Sequence, residues 1–316
     1  MSKAFVVVES VIMLSVLVLI GYISVKTKYI TKQMADVFSK IITRLLLPAL
    51  IAKVILSDKL SIEQIKVSLP LYLLAIAFVI FEFIVAYLIS KLVKTPKNEA
   101  PAFIYFMSMT NVLFMGLPVC VAIFGQESAF FVTVVTFAQD TVLWTVGVLL
   151  LSKFRHKGEI KAKLKISPIT ISFIVSVILK LLGFKLPNLF FVPLDNIGNS
   201  VAYLAMIYLG MLLSFENIIK VLSKFRTYIY LVMKLIVFPV IAGFVIYKIF
   251  GSYFDNLQKG VFVIEFATSS VIALLPVFKE YELNPEYASG LVFSGTVLCL
   301  ATMPLVIILT NVLYLN

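Results

Sequence analysis

Two related segments place small polar side chains inside otherwise apolar stretches of the chain. The first runs from Thr110 to Pro118 (TNVLFMGLP), and the second runs from Thr268 to Pro276 (TSSVIALLP), about 158 residues later. Proline removes a backbone donor and frees a carbonyl one turn earlier. Non-helical backbone is tolerated at membrane depth only inside protein or beside water. Two such interruptions predict a polar cavity between broken helices, the arrangement in which secondary transporters bind their substrates.

The polar side chains of these segments, together with Gln139 from a polar cluster at 137–141, are candidate substrate ligands. A helix that restarts after a break presents N-terminal N–H groups with partial positive charge, which favours an anion. Gly116, Pro118 and Pro276 are the candidate hinge residues. The substrate-binding candidates are Thr110, Asn111, Gln139, Ser269 and Ser270.

Four ionisable side chains fall well inside apolar stretches: Glu82, Asp140, Lys234 and Glu265. An ionised side chain there costs roughly 2.5 kcal/mol or more on insertion scales, so each is expected to face a partner or a wet cavity. Asp140 and Glu265 are the candidates for coupling, because a carboxyl can bind and release a proton during a transport cycle. Lys234 is expected to pair with one of them or to contact an anionic substrate. Glu82 is interpreted as a buried carboxyl that is either protonated or bonded to a neighbouring helix. Arg44 and Lys53 lie nearer span ends, where their side chains can snorkel to the interface.

Composition places these residues in a membrane. Hydrophobic residues make up 61% of the 316, charged residues only 14%, and the mean hydropathy is +1.08, which excludes a soluble globule of ordinary composition. A helix needs roughly 20 apolar residues to cross the hydrocarbon core. The sequence predicts an all-α membrane protein with ten spans and no soluble domain. The expected spans cover residues 5–25, 36–57, 67–93, 100–124, 128–152, 168–184, 196–215, 227–250, 260–279 and 287–314.

The net charge of +11 is explained by topology and does not indicate nucleic-acid binding. Cations cluster after spans 1, 3, 5 and 7, with the largest group in the linker 153–167, whereas the turn 125–127 has none. The positive-inside rule therefore predicts cytoplasmic odd-numbered loops and extracellular termini in the cell membrane. The basic linker separates five spans in 1–152 from five in 168–316. An odd number of spans in each half makes any homology between the halves an inverted repeat.

Other classes of protein fit the sequence less well. An intramembrane aspartyl protease needs two facing aspartates, and Asp140 is the only aspartate well inside an expected span. Cys120 and Cys299 lie within spans without CxxC spacing and are interpreted as packing residues, so neither a metal site nor a cofactor is expected. The chain has no nucleotide-binding motif, which argues against pumping driven by hydrolysis. A channel or a membrane sensor on a transporter scaffold stays open as an alternative.

The chain resembles the auxin efflux carrier family, which includes the plant PIN auxin exporters and bacterial proteins labelled malate or malonate permeases. The likeness runs over almost the whole length, and residues 111–118 are similar to the first crossover helix of the family. The other matching residues are 21–26 at the end of the first helix, Gln139 with Trp144, Lys234 with Pro239, 279–281 with Pro285, 289–293 and Pro304.

This resemblance implies ten helices in two inverted five-helix repeats, a scaffold domain and a crossover domain, elevator-type alternating access and a homodimer. It also implies that Asn111 holds the carboxylate of an organic anion. Thr110 replaces a proline of PIN proteins, residues 269–270 replace Pro-Gln of plant members, and Asp140 and Glu265 replace uncharged residues. These departures favour a small carboxylate such as malate or malonate, moved with protons, over auxin itself. An auxin-like acid and potential-driven uniport stay open as alternatives.

The charge pattern predicts that residues 153–167 are cytoplasmic and that Asn316 is extracellular. Single cysteines introduced into a variant without Cys120 and Cys299 would be labelled from outside intact cells with an impermeant reagent. We expect labelling at the C-terminus and none in the linker. Labelling of the linker alone would reverse the predicted orientation.

Overall fold

The computed structural model describes residues 3–57, 60, 63, 65, 68–147, 168–215, 219–280 and 283–310. Within these ranges the regular structure is helical, and the one β-type pairing is an isolated bridge. The linker 153–167, the end of the fifth expected span at 148–152 and Asn316 lie outside the described residues. The sequence predictions for those parts therefore stay predictions.

Helices are present in every stretch in which the sequence predicts a span, and the expected spans 100–124 and 260–279 are interrupted. In chain order they are α1 (Lys3–Lys26), α2 (Lys32–Ile41), α3 (Leu47–Leu56), α4 (Leu69–Leu92), α5 (Ala100–Ser108), α6 (Val112–Phe124), α7 (Ser128–Gly147), α8 (Pro168–Leu181), α9 (Asn188–Ser214), α10 (Ile219–Leu222), α11 (Phe225–Ile249), α12 (Asn256–Phe266), α13 (Leu275–Glu280) and α14 (Pro285–Leu309). In the described ranges, five of them (α4, α7, α9, α11 and α14) are long and apolar enough to cross a bilayer. Shorter apolar helices lie at 12–26, in α6 and in α8. The chain is a multi-pass membrane protein.

Widened, π-helical turns accommodate proline within several helices. Such turns end two residues before Pro48, Pro118 and Pro239. Proline offers no N–H to the preceding turn, and its ring crowds the carbonyl four residues back. A single π-helical turn relieves this conflict locally, so the helix continues through the proline.

The first of two compact units is built largely from α1, α2, α3, α8 and α9. Helices α1 and α9 approach so closely that a Cβ atom at Gly210 would lie 1.8 Å from the carbonyl oxygen of Val18. Helix α8 is bonded to α3 through Ser172, whose hydroxyl donates to the carbonyl of Pro48 at 2.7 Å. Unit 1 comprises Met1–Leu71, Leu113–Phe137 and Lys165–Phe215.

The second unit contains the segment 268–276 and the first three residues, 110–112, of the segment 110–118. Its core includes a phenylalanine cluster in which Phe78 of α4 lies 4.6 Å from Phe266 of α12, measured between ring centroids. Unit 2 comprises Tyr72–Val112, Ala138–Leu164 and Glu216–Asn316. Each unit therefore draws helices from both halves of the sequence, so the halves 1–152 and 168–316 are not themselves the compact units.

A non-helical segment is present in each of the two predicted regions. Helix α5 ends at Ser108 and α6 begins at Val112, whereas α12 ends at Phe266 and a 3₁₀ turn begins at Ile272. The expected hinge residues lie after these segments. Gly116 and Pro118 belong to helical turns of α6, and Pro276 is the second residue of α13. The backbone leaves the helix at 109–111 and 267–271, where short polar side chains offer alternative hydrogen bonds. The hinge role of Gly116, Pro118 and Pro276 stays a prediction.

Candidate functional site

The two interruptions of unit 2 are hydrogen-bonded to each other through their backbones. Thr110 and Ser270 form an antiparallel bridge. On one side the N–H of Asn111 donates to the carbonyl of Ser269 at 2.8 Å, and on the other the N–H of Val271 donates to the carbonyl of Met109 at 3.2 Å. Each broken helix thus supplies partners for backbone groups that the other break has released. We call residues 109–111 and 269–271 the junction.

A chain of hydroxyl groups completes one end of the junction. The hydroxyl of Ser270 donates to the carbonyl of Phe106, in the last turn of α5. The Tyr230 hydroxyl lies 2.5 Å from the same Ser270 oxygen. Because Ser270 has a single hydrogen and directs it at Phe106, Tyr230 is the donor in this second bond. Gly295 leaves the necessary space, since a Cβ atom there would lie 2.9 Å from the tyrosine oxygen.

The side-chain amide of Gln139 binds Thr110 at two points. Its oxygen accepts the backbone N–H of Thr110 at 3.1 Å, and its NH₂ group donates to the Thr110 hydroxyl. The N–H of Thr110 is the donor that an unbroken helix would have directed at the carbonyl of Phe106. The break at residue 110 separates these two groups. Gln139 then bonds the N–H of Thr110, and Ser270 bonds the carbonyl of Phe106.

The second interruption is held by short polar side chains of its own and of α14. Thr268 donates its hydroxyl to the carbonyl of Glu265 at 2.8 Å, at the end of α12. The Thr296 hydroxyl lies 3.0 Å from that of Ser269, and the thiol of Cys299 donates to the carbonyl of Ala267 at 3.2 Å. Cys299, expected to be only a packing residue, thus also bonds a released carbonyl.

Asn111 differs from the other polar residues of the junction. Its side chain is 2% exposed, and its Nδ2 atom has no hydrogen-bond partner among the described residues. Burial of an amide donor without a partner costs about 1–3 kcal/mol. The residue directly precedes α6, where the first N–H groups of a helix carry partial positive charge. Asn111 therefore offers a buried donor beside a helix N-terminus, a combination suited to an anionic acceptor.

The expected substrate residues Thr110, Asn111, Gln139, Ser269 and Ser270 are brought together by the structure. The expected coupling residues lie on two helices that contribute to the site. Glu265 is fully buried at the end of α12, and Asp140, next to Gln139 in α7, is half-buried.

Lys234 has a different ionic partner from the one expected. Its Nζ lies 3.9 Å from Oε1 of Glu82, and both side chains are 0% exposed. Neither carboxylate oxygen of Glu82 nor the Lys234 Nζ has a hydrogen-bond partner among the described residues. Among the described residues, the interaction that stabilises the two charges is therefore their Coulomb attraction, and it must offset the desolvation cost of their burial. Glu82, interpreted as either protonated or bonded to a neighbouring helix, is the carboxyl that lies beside Lys234 of α11.

Sequence reasoning missed Tyr230 and Thr296 as members of the site. Thr296 belongs to a Ser294-Gly295-Thr296 run within an apolar span, and such a run could have been recognised because buried hydroxyls need partners. Tyr230 carried no such signal, because a lone tyrosine near a span end is ordinary at a membrane interface.

Fold and site together have the form of a membrane transport protein: a multi-pass helical chain with a buried polar junction between two interrupted helices. The sequence profile of a family described as membrane transport protein matches residues 6–165 and 158–307. The chain belongs to this family, and its resemblance to the auxin efflux carrier family is confirmed. It is a membrane transporter and not an enzyme.

Two curated archaeal proteins are similar to the chain over nearly its whole length. One is an uncharacterized transporter of Methanocaldococcus jannaschii, 28% identical over 307 residues, which cover 94% of this chain and 96% of the relative. The other is an uncharacterized transporter of Methanothermobacter thermautotrophicus, 24% identical with the same coverage. These names support the transporter class and leave the transported compound open.

The Glu82–Lys234 pair predicts a non-additive pattern of stability. Lys234→Met alone leaves a buried carboxyl without its counter-ion and should lower the free energy of unfolding by about 3–5 kcal/mol. The double variant Glu82→Met with Lys234→Met should be closer to the wild type, because no charge then stays buried. Thermal or denaturant unfolding of the purified protein would measure this, with Lys248→Met on the exposed face of α11 as the control. Additive losses in the double variant would contradict a direct interaction.

Proposed function

We propose that the chain is a secondary transporter of a small organic anion, which binds at the junction of unit 2. The observation that carries this proposal is the buried Nδ2 donor of Asn111, which has no partner among the described residues. The other polar side chains of the junction are engaged with one another or with backbone groups. Asn111 is therefore the residue with bonding capacity available for a substrate.

A carboxylate matches the chemistry of this position. It accepts hydrogen bonds only, and a bond from an amide donor to a charged oxygen is worth roughly 1.5–3 kcal/mol. The first turn of α6 adds N–H groups and partial positive charge beside Asn111. Malate, malonate or an auxin-like acid would each present such a carboxylate. Family membership supports transport as the consequence of this binding.

Elevator-type alternating access is the mechanism that we propose. The division into two compact units and the junction, whose paired segments 109–111 and 269–271 both lie in unit 2, support it. We retain ten membrane-crossing segments in two inverted five-helix repeats, a homodimer, a location in the cell membrane and a cytoplasmic linker 153–167 as parts of this proposal. The compact units correspond in this view to a scaffold domain and a crossover domain.

Coupling to protons is assigned to Asp140 or Glu265. Both carboxyls lie in unit 2, on helices that contribute to the junction. Because Lys234 pairs with Glu82, Asp140 and Glu265 both stay candidates for a coupling role. Potential-driven uniport by the same site is the alternative mechanism, and a channel or sensor on this scaffold is the alternative class.

Asn111→Ala should abolish most transport while folding and membrane insertion stay intact, because the amide is proposed to bind substrate and makes no side-chain donor bond within the described part of the protein. Loss of one hydrogen bond to a charged group corresponds to an affinity loss of about ten- to a hundredfold. Uptake of malate, malonate and auxin-like acids into proteoliposomes would measure it. Gln33→Ala on an exposed turn of α2 is the matched control. An unchanged apparent affinity for a transported acid would remove Asn111 from the site.

If Asp140 or Glu265 carries the coupled proton, its amide variant should still bind substrate but should lose the dependence of transport on the proton gradient. Asp140→Asn and Glu265→Gln would be tested separately. The variant of the residue that carries the proton should still exchange substrate, but an inward proton gradient should no longer accelerate its transport, because an amide keeps the shape but cannot ionise. Asp36→Asn, at an exposed position of α2, is the control. Wild-type flux that responds to membrane voltage but not to a pH gradient would exclude proton coupling and favour uniport.

A further inference from the structure

Unit 1 contains a cavity of about 850 Å³ that has no part in the junction. Its walls come from the end of α3, the turn between α6 and α7, and the start of α9. This volume lies in the range typical of pockets for small organic molecules. The segments at its rim belong to even-numbered loops, which the charge pattern predicts to be extracellular.

A buried lysine forms part of the cavity wall and is bonded to two partners on α9. Lys53, 5% exposed, lies 2.9 Å from Oδ1 of Asp195 and donates to Oδ1 of Asn199 at 2.5 Å. The expectation that Lys53 snorkels to the interface is therefore wrong. Its partner was hidden because α9 begins at Asn188, eight residues before the expected start of that span, so Asp195 lies inside the helix.

The bonds within this cluster leave capacity for a ligand. A lysine ammonium has three donors, and two of those of Lys53 are engaged. Asp195 accepts from Lys53 through one oxygen and from the Asn199 amide, at 3.1 Å, through the other. A carboxylate has about four acceptor positions, so Asp195 keeps some of them available, and its side chain is 38% exposed.

We propose that this cavity binds an α-amino acid with an apolar side chain. In such a molecule the ammonium and the carboxylate are attached to one carbon, which complements the adjacent opposite charges of Lys53 and Asp195. Lys53 donates its third N–H to the carboxylate, and Asp195 accepts from the ammonium. A further acceptor for the ammonium is Oε1 of Gln126, a buried cavity atom without a hydrogen-bond partner among the described residues.

The charges of the whole cavity favour a zwitterion over a free anion. Besides Lys53 and Asp195, the lining carries one more cation, Lys185, and one more anion, Glu127, so the formal charges cancel. A net-neutral cavity offers a monoanion little overall Coulomb attraction, whereas a ligand with both charges can pair each of them.

Aromatic side chains provide the environment for the apolar part of the ligand. Phe191 lies one helical turn before Asp195 on the same face of α9. The remaining phenylalanines of the lining are Phe124, Phe130 and Phe131. A ligand held by Asp195 therefore has an aromatic wall beside it, against which an apolar side chain can be buried.

Three related compounds test each pole of the ligand on the full chain in lipid nanodiscs: phenylalanine, 3-phenylpropanoate, which lacks the ammonium, and 2-phenylethylamine, which lacks the carboxylate. Binding would be measured by calorimetry and by the rise in unfolding temperature that a ligand of the folded state produces. We expect phenylalanine to bind at least about tenfold more tightly than either analogue.

Asp195→Asn keeps the size of the side chain and an acceptor for Lys53 but removes the charge that attracts the ammonium. Phenylalanine should then bind at least about tenfold more weakly, while binding of 3-phenylpropanoate is unchanged or stronger. The matched control Asp36→Asn should bind phenylalanine as the wild type does. If Asp195→Asn does not fold, Gln126→Leu in the turn between α6 and α7 provides the same test of the ammonium position.

Two results would overturn the proposal: 3-phenylpropanoate binding as tightly as phenylalanine, or no binding of phenylalanine at concentrations up to about 10 mM. Because the measurement is of binding, its outcome is independent of whether the junction transports an organic anion. Asn111→Ala should leave phenylalanine binding unchanged.

Discussion

The structure of unit 2 depends on one constraint: backbone groups released inside a membrane protein must find hydrogen-bond partners within the protein. Interrupting two helices releases several N–H and C=O groups in an apolar environment. The junction satisfies them by pairing the two interruptions with each other, with Thr110 opposite Ser270. Gln139 and Tyr230 then complete the bonding from neighbouring helices. The two breaks are therefore interdependent, because neither alone would have enough partners.

This constraint divides the polar residues of the site by role. Gln139 and Ser270 are occupied with groups that the break separates, so replacing them would disturb the junction itself. Asn111 contributes its backbone N–H to the pairing but not its side-chain Nδ2, which stays buried without a partner among the described residues. A donor whose burial is unfavourable in the unoccupied protein gains the most from an anionic ligand. The strongest argument for a substrate at the junction is thus the one side-chain donor that the described part of the fold leaves buried and unsatisfied there.

The sequence predicted where the helices break because a run of small polar side chains is unfavourable in an apolar stretch unless it lies at an interruption or beside a cavity. The sequence did not predict that a π-helical turn keeps the backbone helical at Pro118. The sequence could not predict the pairings between distant residues, for a different reason. Lys53 and Lys234 each pair with a carboxylate more than a hundred residues away in sequence, and only tertiary packing decides which helix faces overlap. The position of Asp195 was further obscured because α9 extends beyond its most apolar part.

The two buried lysines each pair with a carboxylate, but the two pairs differ in whether a ligand can reach them. Lys234 and Glu82 are completely buried and 3.9 Å apart, without hydrogen bonds among the described residues, so the pair balances charge but has no access to a ligand. Lys53 and Asp195 are 2.9 Å apart, bonded to Asn199, and lie at a cavity into which Asp195 is partly exposed. Breaking the first pair leaves a charge with no alternative partner, and its cost falls on stability. The second pair can add a ligand to its existing bonds, because its charges stay satisfied whether the cavity is occupied or empty.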